Sequence, residues 1–152
     1  MKLDKLWAPW RIVYIERGDL NGEQCFLCEK HKTPDMDSEN FVLYRGKHSY
    51  VLLNAFPYNN GHLMIAPYRH TGEFENLSDD ELLEMMIVSR LAVSAISQEM
   101  GAQGFNIGIN IGCVAGAGKA SGDKIVWIDS RGGGEIISGH YVSSQDLYYL
   151  KL

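Results

Sequence analysis

The sequence reads as one mixed domain of short strands and a single long helix. Residues 50–54 (YVLLN) and 62–66 (HLMIA) are apolar runs joined by a turn that ends in Asn60-Gly61, a strong hairpin signal. Residues 78–100 form a helical stretch between a capping box, Ser78 with Glu81, and the stop at Gly101. Residues 104–111 alternate: Phe105, Ile107, Ile109 and Ile111 on one face, Asn106, Gly108 and Asn110 on the other. The 152 residues give one domain over 1–152 with enough chain for a core, and no repeat or linker divides them.

The elements follow in order. Residues 6–14 (LWAPWRIVY) carry Trp7 and Trp10, rings that cover a core edge or touch a ligand or subunit. Cys25 and Cys28 then form a C-x-x-C pair, with His31 three residues on. Two thiolates at this spacing can hold zinc, and His31 could reach the same ion; plain buried cysteines are the alternative. Without a βαβ context a thioredoxin-type site fits less well. Residues 35–40 are turn-like and 41–44 a short strand. His62 opens the second hairpin strand, and His70 leads from the sheet toward the helix. That helix has an acidic first turn, which suits its dipole. It is apolar on more than one side, through Leu82, Met85, Met86, Ile87, Val93 and Ile96, as expected of a helix packed on a sheet and on a partner.

After the alternating strand comes a loop with Gly112, Gly116 and Gly118. Such a loop is either a flexible hairpin tip or a cradle whose backbone N–H groups hold an anion. It is not the GxxxxGK[ST] phosphate loop, because Ala120 follows Lys119 where a hydroxyl is needed. A strand over 124–128, a Gly-rich stretch over 131–134, a further strand over 136–142 and a terminal helix over 144–152 complete the expected elements.

A formal charge of −5 argues against non-specific nucleic-acid binding. No apolar run reaches a membrane span, and the opening residues are too polar for a signal peptide, so the expected setting is the reduced cytoplasm. There, the Cys25–Cys28 pair reads as metal or redox chemistry before a structural disulfide, and Cys113 is the odd cysteine.

LWAPWR near the start, the C-x-x-C pair, YVLLNAFPYNNGHLMIAPYRH, NLSDDEL and GFNIGINIG-x-VAGAG together closely resemble the histidine triad (HIT) superfamily, in particular its diadenosine tetraphosphate phosphorylases and related hydrolases. The match runs over about residues 5–118. The resemblance implies an α+β fold, with a five-stranded antiparallel sheet, one long helix and subunits paired into a continuous sheet. It implies a nucleoside phosphate or dinucleoside polyphosphate ligand, adenine favoured, and no organic cofactor. Asn54 stands where the family holds the ribose hydroxyls, Asn110 near the phosphates, and residues 116–121, with Gly116, Gly118 and Ser121, around the α-phosphate. His62 matches a family histidine, and His70 a zinc ligand of the C-x-x-C members.

One departure is large. The family carries H-φ-H-φ-H on the strand after the Gly loop, and its middle histidine attacks the α-phosphate. Aligned on Trp127, those positions hold Lys124, Val126 and Ile128; counted from Asn110 by loop length, they hold Gly122, Lys124 and Val126. Neither set contains a histidine, and valine cannot be a nucleophile. Lys124 could still attract phosphate as a point charge. The zinc ligand expected on this strand is absent as well, which leaves His31 as the nearest replacement. His140 is expected to be a surface residue of the tail. Three readings follow: a nucleotide-binding pseudoenzyme, an active nucleotidyl hydrolase or phosphorylase using another residue, and a copy disrupted after Gly118, where the match thins abruptly.

Overall fold

The computed structural model describes residues 25–55, 57, 61–112 and 126–131; within the last stretch it describes the backbone and the side chain of Ile128. The expected features at 6–14, 113–125, 136–142 and 144–152, with Cys113 and His140, lie outside the described residues.

The chain begins with α1 (Phe26–Lys32), a helix that the periodicity does not predict. Its N-cap is Cys25, whose Sγ accepts a hydrogen bond from the Cys28 N–H at 3.4 Å. A 3-10 turn, Pro34–Met36, leads to β1 (Val42–Arg45). Then come β2 (Ser49–Leu53) and β3 (Leu63–Pro67), the hairpin expected from the apolar runs. The long helix is α2 (Asp79–Met100). Both halves of its capping box form, with Ser78 and Glu81 bonded reciprocally. Its C-cap, Gly101, has φ 61°, a left-handed conformation that a side chain would strain. The alternating strand is β4 (Gly104–Ile109), and β5 is Val126–Arg131.

These strands form one antiparallel sheet in the order β1-β2-β3-β5-β4, so β5 inserts between β3 and β4. The α+β architecture with one long helix is therefore present as expected. Each face carries its own core. On one face Val51, Leu53, Leu63, Ile65 and Ile128 pack against Met85, Val88, Ala92 and Ile96 of α2. Phe105 and Ile109 of β4 pack at its margin. On the other face Tyr50, Leu52 and Ala66 pack with Val42, Cys25 and Leu27, so that α1 closes the β1–β3 end. The buried Tyr50 hydroxyl donates to the Leu27 carbonyl at 2.9 Å and ties α1 to the sheet.

The helix is apolar beyond its core stripe, as its sequence suggests. Leu83, Met86, Ile87 and Leu91 are exposed along α2, and Ile107 and Ile111 are exposed at the β4 edge. Ile107 therefore does not join the core with Phe105 and Ile109, although all share the apolar phase of the strand. No helix among the described residues is long and apolar enough to cross a membrane.

Candidate functional site

Strand alternation sorts the candidate residues onto one face. Leu53 and Leu63 point to α2, so Asn54 and His62, the next residue on each strand, belong to the opposite face. The Asn54 N–H donates to the His62 carbonyl at 3.0 Å, which extends the β2–β3 register by one pair. The Asn54 side-chain Nδ2 lies 3.4 Å from His62 Nε2. His62 is buried, with 5% of its surface accessible. On β4, Phe105 and Ile109 face the helix, which puts Asn106, Gly108 and Asn110 on the same side as Asn54 and His62. Asn106 and Asn110 are exposed. The sheet thus offers amides and an imidazole, groups that both donate and accept, on one open face.

The metal-ligating candidates converge at one end of that face. Cys25 Sγ, Cys28 Sγ and a ring nitrogen of His70 lie within 4.8 Å of one another. Cys28 Sγ is 3.3 Å from His70 Nδ1. This donor set fits zinc: thiolate and imidazole are its preferred ligands, and three convergent donors with an exposed third member leave a fourth position accessible. Local structure explains the convergence. The start of α1 holds Cys25 as N-cap and Cys28 three residues later. His70 is carried there by the segment after β3, which Arg69 anchors. The Arg69 guanidinium donates to Glu81 Oε1 at 3.1 Å and Oε2 at 2.7 Å, and also to the Asn76 carbonyl. Arg69, with the Ser78 N–H and hydroxyl, pulls the Glu81 pKa down to about 2 against the opposing effect of burial.

His31 is not among these donors. Its ring sits 5.4 Å from Tyr68 and 5.9 Å from Tyr50, which themselves stack at 5.6 Å. Burial, with Lys32 and Arg45 nearby, lowers its pKa and favours the neutral ring that such an aromatic setting suits. Arg45 braces the same corner: it pairs with Asp37 through two bonds, at 2.6 and 2.8 Å, and donates to the His31 carbonyl at 3.0 Å.

Of the Gly loop and the strand that follows it, the described part is β5. It pairs Ile128 with Leu63 and Ile107, Trp127 with Met64 and Gly108, and Asp129 with Asn106. Ile128 is fully buried in the core beneath α2. Gly116, Gly118, Ser121, Gly122 and Lys124 lie outside the described residues.

A HIT domain model matches residues 36–118. The chain is 36% identical to a Mycobacterium tuberculosis protein named AP-4-A phosphorylase, over 95% of this chain and 78% of that one. A hypothetical histidine triad nucleotide-binding protein of Sulfolobus tokodaii superposes with a TM-score of 0.66 at 22% identity, over 83% of this chain and 85% of the other. A zinc-bound histidine triad family protein of Mycobacterium smegmatis does so with a TM-score of 0.64 at 21% identity, over 84% and 89%. With the domain match over more than half the chain and a relative that spans nearly all of it, the chain belongs to the HIT family.

Proposed function

We propose that this chain binds an adenine nucleotide or dinucleoside polyphosphate on the face formed by Asn54, His62, Asn106 and Asn110, with little or no turnover. Asn54 and His62 would hold the ribose, and Asn110 with the following Gly loop the phosphates. Gly116, Gly118, Ser121 and Lys124 belong to this proposal through the family resemblance. Cys25, Cys28 and His70 would hold a structural zinc that fixes the start of α1 against the segment after β3. A second copy would cover the exposed apolar stripe of α2 and the β4 edge.

One observation carries the catalytic part of the reading. The family's chemistry uses a histidine nucleophile on the strand after the Gly loop, and this chain has no histidine between His70 and His140. Loss of a nucleophile removes most of an enzyme's rate, on the order of 10³-fold or more. The 36% identity to a protein named AP-4-A phosphorylase favours a second reading, an active nucleotidyl hydrolase or phosphorylase. Turnover of diadenosine tetraphosphate, measured with and without inorganic phosphate, separates the two. The proposal expects trace product in both conditions. A rate within tenfold of a family member that carries the full triad refutes it.

A further inference from the structure

Cys25 and Cys28 stand where they can bond to each other as well as to a metal. Cys25 is the N-cap of α1, and Cys28 lies in its first turn. Residues three apart on a helical turn have Cα atoms about 5 Å apart, within the range of about 4.4–6.8 Å that a disulfide spans. The Cys25 Sγ is already turned back over this turn, where it accepts the Cys28 N–H at 3.4 Å. The two sulfurs and a His70 ring nitrogen lie within 4.8 Å of one another. Side-chain rotation can close that gap while the backbone stays in place.

The two thiols differ in exposure. Cys25 is buried among Leu27, Val42, Tyr50, Leu52 and Ala66. Cys28 is half-buried, and His70, 3.3 Å from its Sγ, is exposed. An oxidant arriving from solvent therefore meets Cys28 first, with Cys25 behind it. An accessible thiol backed by a second one is the arrangement of an attacked and a resolving cysteine.

We infer that Cys25 and Cys28 are a redox modification site, at which a hydroperoxide converts the pair to a disulfide and empties the metal position. The metal half rests on the zinc reading above; the disulfide half rests on the placement of the two sulfurs. With hydrogen peroxide, Cys28 Sγ attacks one peroxide oxygen, the O–O bond breaks and the sulfur becomes a sulfenic acid. The thiol proton leaves with the departing oxygen as water. Cys25 Sγ then attacks the Cys28 sulfur, the S–S bond forms and the S–O bond breaks. The Cys25 proton leaves with that oxygen as a second water. The two thiols have given up two electrons, and one peroxide has become two waters. Zinc takes thiolate sulfur, so the disulfide withdraws two of the three described donors together.

The fold accommodates both states. α1 stays on the sheet through the buried Leu27 and the bond from the Tyr50 hydroxyl to the Leu27 carbonyl. The segment after β3 stays through Arg69 and Glu81. A disulfide is neutral and suits the apolar surroundings of Cys25. Oxidation thus cuts the metal link between α1 and His70 and leaves each of them anchored.

The test uses the full chain carrying Cys113→Ser, so that positions 25 and 28 hold the remaining thiols. The protein is loaded with zinc, freed of excess metal and treated with hydrogen peroxide. About two thiols per chain should be lost, with one peptide that contains both cysteines lighter by two hydrogens. About one zinc per chain should pass to a chromogenic chelator, and dithiothreitol with added zinc should reverse both changes. Helix content by circular dichroism should stay the same throughout. Cys25→Ser in the same background should stop at a sulfenic acid on Cys28, which dimedone traps. Thiols at 25 and 28 that still alkylate after peroxide has fully oxidised free cysteine overturn the site. Zinc that stays bound while the disulfide forms overturns its link to the metal. A chain that takes up no zinc yet forms the 25–28 disulfide refutes the zinc reading and upholds the redox pair.

Discussion

Glu84 fastens α2 to the turn between β1 and β2, and its removal should cost more than any exposed ion pair. Its carboxylate accepts the Lys47 N–H at 3.1 Å, the His48 N–H at 2.9 Å and the Ser49 N–H at 2.8 Å, together with the Ser49 hydroxyl at 2.7 Å. The Lys47 and His48 amides are near the surface, so water can replace their acceptor in Glu84→Ala. Ser49 is fully buried, and its two donors would be left without one. A hydrogen bond to a charged group contributes about 1.5–3 kcal/mol, so the two buried donors together set the loss at about 3 kcal/mol. For a chain of this size that is a fall of about 6–12 °C in melting temperature. Gly46 provides a second test. A Cβ there would meet Glu84 Oε1 at 2.3 Å and Cδ at 2.9 Å, so Gly46→Ala must displace the carboxylate. It should cost about 1–2 kcal/mol in the parent chain and about half of that in Glu84→Ala, where the Ser49 carbonyl oxygen, 3.1 Å from that Cβ, is the close neighbour that remains. Urea unfolding of the four proteins measures both values. A loss below about 0.5 kcal/mol for Glu84→Ala, or equal costs for Gly46→Ala in both backgrounds, refutes the clamp.

Further outcomes follow from other parts of the molecule. Purified protein should carry about one zinc per chain, lowered strongly by Cys28→Ser or His70→Ala, as elemental analysis reads directly; a parent chain with no metal ends the zinc proposal. Glu81 has a folded pKa of about 2 against 4.5 unfolded, so the stability it adds is complete above pH 4.5 and is lost as pH falls toward 2. Glu81→Gln should flatten that part of the stability–pH curve, and an unchanged slope would count against the Arg69–Glu81 anchor. Leu83→Glu combined with Leu91→Glu places charge on the exposed α2 stripe and should convert a dimer to monomer in sedimentation without loss of helix content. A parent chain that already sediments as a monomer rejects the second-copy proposal.

Local signals made much of this fold legible. The hairpin runs became β2 and β3 because alternate residues of both strands fill two separate cores. The capping box and Gly101 bounded α2 because both act within a single turn of chain. Long-range matters were less visible. Nothing in the spacing around Glu84 announces that its carboxylate gathers a turn 35 residues upstream, since such a contact exists only once helix and sheet are packed. The start of α1 was hidden because its N-cap is a cysteine, a residue read first for its metal chemistry. In the candidate site, Cys25, Cys28 and His70 were readable as residue types, and the structure brings them together. His31 has the right chemistry and a suitable sequence spacing, but its ring packs against the stacked Tyr50–Tyr68 pair instead. The face presented by β5 was not readable, because one residue of slip separates the alternatives and periodicity alone does not count loop residues.

The position of β5 also shapes how the domain can assemble. Among the described residues β4 joins the sheet through β5, and β5 joins it through β3. During synthesis, β1, β2, β3 and α2 can form their contacts while β4 has emerged with no strand to pair with. Closure waits until residue 131 is available, and it joins segments more than 60 residues apart, Leu63 to Ile128. Long-range pairing of this kind slows folding and leaves strand edges open for longer. A ribosome-bound chain ending before residue 126 should therefore expose Phe105 and Ile109 to chaperones, and a change in β5 would affect the time to reach the native state as well as the finished site.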